Sequence, residues 1–150
     1  MAVTGIARLE HFFRLVAGLD IDKEDIRRLG TFIERKIDDL LLMGMANAKA
    51  NDRDVLMLHD LPIGKGLQEC IQIFARMEKE VDDLGPIFTT LARAPQIDLA
   101  YGEGVEGKLS RVAGGLSVAL AKSFKTVWPS LRNPRTAHWE TAFRLFDLVL

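Results

Sequence analysis

The 150-residue sequence contains a single cysteine, Cys70, and no long apolar run. One thiol cannot form an internal disulfide bond or a multi-thiolate metal site. No apolar stretch approaches the roughly 18 residues that a membrane-spanning helix needs, and no basic segment followed by an apolar one marks a secretory signal. None of the three histidines belongs to a set at metal-ligand spacing. These absences predict a cytoplasmic protein that holds no metal or other cofactor and crosses no membrane.

Catalytic signals are also missing from the sequence. The segment 102–108 has the spacing GxxxxGK, which resembles a phosphate-binding loop. Leu109 stands where such loops carry a Ser or Thr for magnesium, and Glu103 and Glu106 would repel phosphate. No Ser/His/Asp or paired-carboxylate arrangement stands out either. We therefore expect neither an enzyme nor a small-molecule substrate.

The charges are unevenly distributed, although 20 basic and 21 acidic residues give a net charge of −1. Residues 107–144 contain seven Lys or Arg residues and one acidic residue, Glu140, so this segment carries +6 and the remainder −7. A basic segment is either a solvated helix face or a surface for polyanions such as nucleic acid.

Helical periodicity is strong throughout, whereas strand signals are nearly absent. Apolar spacing and capping residues predict an all-α protein of six helices, with Asp22 and Asp98 as the N-caps of two long helices and Thr136 as the N-cap of the last. The predicted helices span residues 4–17, 22–50, 60–83, 86–93, 98–129 and 136–150.

The order short, long, medium occurs twice, which indicates an internal duplication with halves 1–83 and 84–150 in one compact domain, 1–150. The first long helix would measure roughly 43 Å and cannot bury its apolar stripe within one half. The two halves must therefore cover each other. The apolar stripes predict these core residues: Ile33, Ile37, Leu40, Leu41, Phe74, Leu116, Leu120, Phe124 and Phe143.

The segment 46–61, ANAKANDRDVLMLHDL, is similar to the second loop of archaeal-type histones, in which an Arg is followed seven residues later by an Asp. Arg53 and Asp60 have this spacing, and a guanidinium can bind such a carboxylate in bidentate fashion as a structural clamp. The chain also resembles a bacterial family of double-histone-fold proteins, long catalogued as a domain of unknown function. The resemblance covers nearly the whole chain, and it rests on the segment 60–69 and on the late Asn133-Pro134 with Thr136. The resemblance implies two tandem histone folds paired as an intramolecular pseudodimer.

The resemblance also implies a histone-like, architectural DNA-binding protein that bends DNA through its phosphate backbone without reading sequence and lies in the nucleoid. In a paired histone fold the loop near 20–23 lies beside 132–136, and the loop near 93–98 lies beside 51–55. Asp54 and Val55 stand where DNA-binding histones carry phosphate-contacting Lys and Thr, so we expect the contacts at the first pair of loops and the basic second half. The candidate DNA-binding residues are Arg14, Lys23, Arg27, Lys122, Lys125, Arg132 and Arg135.

A second interpretation is a histone-fold module that pairs with another protein and ignores nucleic acid. The acidic first half and the net charge near zero favour it. Self-association through the last helix is also left open by the sequence.

Overall fold

The computed structural model describes residues 3–150, and two long helices dominate it. In chain order the elements are α1 (Val3–Ala17), α2 (Lys23–Ala50), β1 (Val55–Leu56), a 3-10 turn (Leu58–Asp60), α3 (Lys65–Glu80), α4 (Leu84–Leu91), β2 (Ala100–Tyr101), α5 (Val105–Val127) and α6 (Thr136–Val149). The predominantly helical class predicted from periodicity is confirmed. No helix within residues 3–150 is long and apolar enough to cross a membrane.

The start of α2 follows the predicted capping chemistry. The Asp22 carboxylate accepts a hydrogen bond from the Asp25 N–H at 2.9 Å, and the Asp25 carboxylate accepts one from the Asp22 N–H at 3.0 Å. This reciprocal capping box satisfies two N–H groups that have no partner inside the helix. The α2 helix then continues for 28 residues to Ala50.

Two predicted helix starts are wrong. The second long helix begins at Val105, not after Asp98, because Gly104 adopts a positive φ of 78° at the N-cap and the segment before it pairs with β1. The third helix begins at Lys65, not near Asp60, because Leu61 precedes Pro62 and has the extended backbone that this position favours. Thr136 is the first residue of α6, and its N-cap is Arg135.

The strands β1 and β2 form a short parallel pair that periodicity did not predict. Val55 aligns with Ala100 and Leu56 with Tyr101. The Gly102 N–H also donates to the Leu56 carbonyl at 2.7 Å, and a Cβ at Gly102 would stand only 2.9 Å from that oxygen. Two residues per strand are too few to show a period-2 pattern.

The core lies between the long helices and the shorter helices around them. Of the nine core residues predicted, eight are buried and Phe143 is half-buried. Aromatic contacts join α1, α3 and α4, where the ring centroids of Phe12, Phe74 and Phe88 lie 4.8–6.1 Å apart.

The helices α3 and α6 pack on the long helices in different ways. The helix α3 packs closely on α5, where a Cβ added at Gly114 would overlap the Phe74 ring and one at Gly115 would overlap Ile71. Between α6 and α2 the contacts run through longer side chains. There the rings of Phe32 and Phe143 stack at 5.4 Å, and the buried Lys36 ammonium binds the Asp147 carboxylate at 2.7 Å.

Candidate nucleic-acid interface

The loop between α1 and α2 lies beside the loop between α5 and α6. The Asp20 N–H donates to the Arg132 carbonyl at 2.7 Å. One helical turn into α2, Arg28 Nη2 donates to the Thr136 hydroxyl at 2.7 Å. We call this junction the first seam, residues 18–22 with 128–136. It brings the N-termini of α2 and α6 to one region of the surface.

Two of the candidate DNA-binding arginines meet at the first seam through one carboxylate. Asp20 Oδ1 accepts a hydrogen bond from Arg14 Nε at 3.0 Å, and Asp20 Oδ2 lies 3.7 Å from Arg132 Nε. The Arg14 side chain is 59% exposed and that of Arg132 is 76% exposed. Both guanidinium groups therefore remain open to solvent while they share the Asp20 carboxylate.

Three more candidates lie on the segments that adjoin this pair. Lys23 is the exposed first residue of α2, and Arg27 makes only a 3.5 Å ion pair with Glu24 in the same helix. Arg135 is exposed at the N-cap of α6. We call Arg14, Lys23, Arg27, Arg132 and Arg135 the basic edge.

The remaining two candidates are placed differently. Lys125 is half-buried and donates from Nζ to the Leu131 carbonyl at 2.5 Å, so its ammonium group holds the turn after α5. Lys122 is exposed on α5. Its positive charge acts to lower the pKa of the Cys70 thiol on α3, which burial raises. Within residues 3–150, neither lysine forms a hydrogen bond or an ion pair with the Asp20 carboxylate.

The two helix N-termini at the first seam differ in charge. The first turn of α2 carries Glu24 and Asp25, and Asp25 is 3% exposed. Burial raises the pKa of Asp25, while the Asp22 N–H acts to lower it. The first turn of α6 carries no acidic residue, so its free N–H groups attract an anion more strongly than those of α2. Helical periodicity did not mark Asp20, Arg28 or Thr136 as interface residues. The predicted neighbourhood of the two loops contains Asp20 and Thr136 but not Arg28, which lies within α2.

A second seam joins β1 and β2 at the other pair of loops, and Arg53 and Asp60 lie beside it. Arg53 Nη1 donates to Asp60 Oδ2 at 2.6 Å while Nη2 donates to Oδ1, so the ion pair is bidentate. The Met57 N–H donates to the same carboxylate at 2.8 Å. The Arg53 guanidinium and this N–H lower the pKa of the buried Asp60 to about 2, against the effect of burial. The loop that carries β1 is thereby fixed.

Exposed acidic residues surround the second seam. The exposed side chains of Asp52, Asp54, Asp98 and Glu103 form what we call the acidic edge. Asp54 directly precedes β1, where a carboxylate repels a phosphate. The two seams therefore differ in their exposed charges: these four carboxylates lie at the second seam, whereas exposed Arg and Lys side chains lie beside the Asp20 and Asp22 carboxylates at the first.

The comparisons with known proteins agree with this architecture over nearly the full chain. A protein of Thermus thermophilus has a crystal structure with 45% sequence identity and a TM-score of 0.84, and the match covers 97% of each chain. A crystal structure from Aquifex aeolicus has 26% identity and a TM-score of 0.83 over 97% of this chain and 95% of its own. An uncharacterized protein of Aquifex aeolicus (strain VF5) is 29% identical over 147 residues, which are 97% of this chain and 84% of that protein. The family model described as Domain of unknown function (DUF1931) matches residues 9–147, and the chain therefore belongs to this family.

Proposed function

We propose that the chain is a pair of histone folds in one polypeptide and that it binds the backbone of duplex DNA as an architectural protein of the nucleoid. The observation that carries the proposal is the arrangement of the loops. In a paired histone fold, the first loop of each half lies beside the second loop of the other. Here residues 18–22 lie beside 128–136, and β1 lies beside β2.

The basic edge supports phosphate binding at the first seam. Its side chains are exposed, and Lys23 and Arg135 form no ion pair among residues 3–150. Lys and Arg side chains and helix N-termini position a protein on DNA without reading bases. The N-terminus of α6 adds free N–H donors beside Arg135.

The expected affinity is modest and depends steeply on salt. If the five side chains of the basic edge each neutralise one phosphate, log K falls against log [salt] with a slope of about −4 to −5. Lys125 contributes little to this slope, because its ammonium group already binds the Leu131 carbonyl.

A labelled duplex of about 30 base pairs, titrated with protein at several salt concentrations and followed by fluorescence anisotropy, tests the proposal. We expect Arg132→Glu/Arg135→Glu to weaken binding by at least tenfold and to flatten the salt slope. The matched control Lys49→Glu/Lys108→Glu changes the net charge equally at helix ends that flank the second seam, and we expect it to leave binding nearly unchanged. Equal affinities for the two double variants would refute the assignment of the basic edge.

The acidic edge favours a second candidate function, a histone-fold module that binds a basic protein partner. Asp54 and its neighbours repel DNA at one of the two seams. A wild-type protein that melts cooperatively and binds no duplex even at low salt would favour this alternative over DNA binding.

A further inference from the structure

Arg28 differs from the side chains of the basic edge, because both ends of its guanidinium are bound within the protein. Nη1 donates to Asp25 Oδ1 at 3.2 Å, and Nη2 donates to the Thr136 hydroxyl at 2.7 Å. The Arg28 side chain is 30% exposed, whereas that of the neighbouring Arg27 is 78% exposed. Arg28 therefore has little left to offer a phosphate, although it is a cation at the first seam.

The Asp25 end of this bridge is buried. The Asp25 carboxylate also accepts a hydrogen bond from the Asp22 N–H at 3.0 Å. Burial raises the pKa of Asp25, and the Asp22 N–H and the Arg28 guanidinium act to lower it. A buried carboxylate is unfavourable without such partners. Arg28 is thus anchored at one nitrogen, while its other nitrogen reaches across the seam.

The Thr136 end of the bridge joins the two halves of the chain. Within residues 3–150, the other hydrogen bonds and ion pairs between residues 18–28 and 128–139 are made by Asp20. The Asp20 carboxylate is 41% exposed and lies 3.7 Å from Arg132 Nε, so salt screens this ion pair. The contact from Arg28 is the one that starts from a buried group.

The second half has no carboxylate where the first half has its clamp. Asp60 follows Arg53 by seven residues and binds it, but the residue seven positions after Arg132 is Trp139, which is buried. A clamp of that kind therefore cannot form within the second half. The turn that carries Arg132 is held from the other half instead, through Arg28 of α2.

The bridge sets the spacing between cations that belong to different halves. Lys23 and Arg27 lie on the first two turns of α2, and Arg135 directly precedes α6. We propose that Arg28 is a positioning residue of the DNA interface. Through Thr136 and the buried carboxylate of α2, it holds the N-termini of the two helices at the separation at which the basic edge meets the phosphates of a duplex. The inference rests on the proposed function, since it concerns the same site.

A positioning residue and a phosphate contact have different salt signatures. When the bridge is lost, the two helix N-termini must be ordered during binding, which weakens binding by the same factor at every salt concentration. The number of phosphates neutralised stays the same, so the slope of log K against log [salt] does not change. Loss of a cation that itself binds a phosphate flattens this slope by about 1.

Variants that leave the net charge unchanged test the proposal in anisotropy titrations of a labelled duplex at several salt concentrations. Arg28→Lys keeps the charge, but one ammonium group cannot replace a guanidinium that binds two partners. Thr136→Val removes the accepting hydroxyl. We expect each to weaken binding by about three- to tenfold with the wild-type salt slope. The control Thr136→Ser keeps the hydroxyl and should stay within about twofold of wild type.

The double variant Arg28→Lys/Thr136→Val should bind as weakly as the weaker single variant, because both changes remove the same contact. Additive effects would overturn the proposal, since the two side chains would then act on DNA separately. Circular dichroism melting shows which variants are folded at the temperature of the titration. If Arg28→Lys does not fold, the comparison of Thr136→Val with Thr136→Ser decides, because Thr136 is exposed.

Folded variants with wild-type affinity would also overturn the role of Arg28, and so would a salt slope that Arg28→Lys flattens by about 1. These outcomes leave the proposed function intact, because the wild-type protein still binds DNA in each of them. A wild-type protein that binds no duplex at low salt refutes the proposed function itself and this inference with it.

Discussion

Asp20 shows how one residue can limit a binding surface. Its carboxylate contacts Arg14 and Arg132, which are two of the five basic-edge side chains. A phosphate that binds either guanidinium competes with a carboxylate that is already in place. The ion pairs of Asp20 with Arg14 and Arg132 are exposed to solvent, so salt screens them as it screens DNA binding itself.

We therefore predict that Asp20→Asn strengthens DNA binding. Removal of the carboxylate frees two guanidinium groups, so affinity at about 0.1 M salt should rise several-fold and the salt slope should steepen by about 1. Anisotropy titrations measure both quantities. Asp98→Asn removes the same charge from the acidic edge and should have a much smaller effect. An Asp20→Asn protein with wild-type affinity would mean that the first seam does not contact DNA.

Asp60 supports a second prediction at this scale, a stability difference that depends on pH. The Asp60→Asn variant loses the carboxylate that binds Arg53 and the Met57 N–H. The pKa of Asp60 is about 2 in the folded protein and near 3.9 in an unfolded chain, so its stabilising effect is complete above about pH 4 and disappears as the pH falls towards 2. We expect the Tm of wild type to exceed that of Asp60→Asn by several degrees at about pH 7 and the two values to converge below about pH 3.

Thermal unfolding of wild type and Asp60→Asn, followed by circular dichroism between about pH 7 and pH 2, tests this predicted pH dependence of the Tm difference. Asp54→Asn, an exposed change on the same loop, should leave Tm nearly unchanged at every pH. A Tm difference for Asp60→Asn that stays constant over the whole range would contradict the role given to the ion pair.

Some residue-scale features could be predicted from the sequence and others could not. The contact between Arg53 and Asp60 followed from the resemblance of the segment 46–61 to the second loop of archaeal-type histones, in which an Arg and an Asp at this spacing bind each other. The orientation of the Lys125 side chain could not be predicted. Its ammonium group can reach solvent or the Leu131 carbonyl, and only the path of the turn after α5 decides between them.

At the scale of elements, the glycines of α5 determine how closely α3 packs. A Cβ at Gly115 would stand 2.9 Å from the backbone N and Cα of Ile71, so a side chain there must displace the α3 backbone. The helix α6 has no such contact with α2, and Phe32, Arg35 and Lys36 stand between the two helices.

We predict that Gly115→Ala lowers the free energy of unfolding by about 1–3 kcal/mol, the usual cost of overpacking a core. Gly107→Ala lies in the same helix with nothing within 4 Å of the added Cβ, so it should be neutral or stabilising by up to about 1 kcal/mol. Urea denaturation of both variants measures the difference. Equal stabilities would mean that α3 moves aside without cost.

Element positions followed from the sequence wherever apolar spacing and capping agreed, as in α2. The start of α5 was predicted wrongly, because Asp98 is chemically acceptable as an N-cap residue although the helix does not begin there. Tertiary pairing with β1 holds residues 100–102 extended, and Gly104 begins the helix instead. A contact between segments far apart in the sequence overrides a local preference and leaves no periodic signal.

At the scale of the whole molecule, the two seams differ in the charged side chains that they expose. The basic edge holds five Lys or Arg residues, whereas Asp52, Asp54, Asp98 and Glu103 form the acidic edge. Charge counting along the sequence found the basic second half. It could not find the edges, since each edge combines residues from two separate segments of the sequence. If the basic edge binds DNA, the acidic edge keeps a duplex from continuing across the second seam, so a short stretch of DNA is engaged.

The two seams also determine what the covalent link between the halves contributes. Each seam joins a segment before residue 83 to one after it, and the linker, residues 81–83, lies between α3 and α4. The halves are thus held by contacts that do not need the peptide bond between them. Fragments 1–83 and 84–150, produced separately, should each be largely unfolded, because each long helix loses the partner that covers it.

Mixed in equal amounts, the fragments should recover the helical circular dichroism and one cooperative melting transition whose midpoint rises with concentration. Two fragments that each fold alone would show the halves to be independent units. In the intact chain, the linker replaces a concentration-dependent encounter of two components with a fixed one-to-one ratio, so the folded state persists at any dilution.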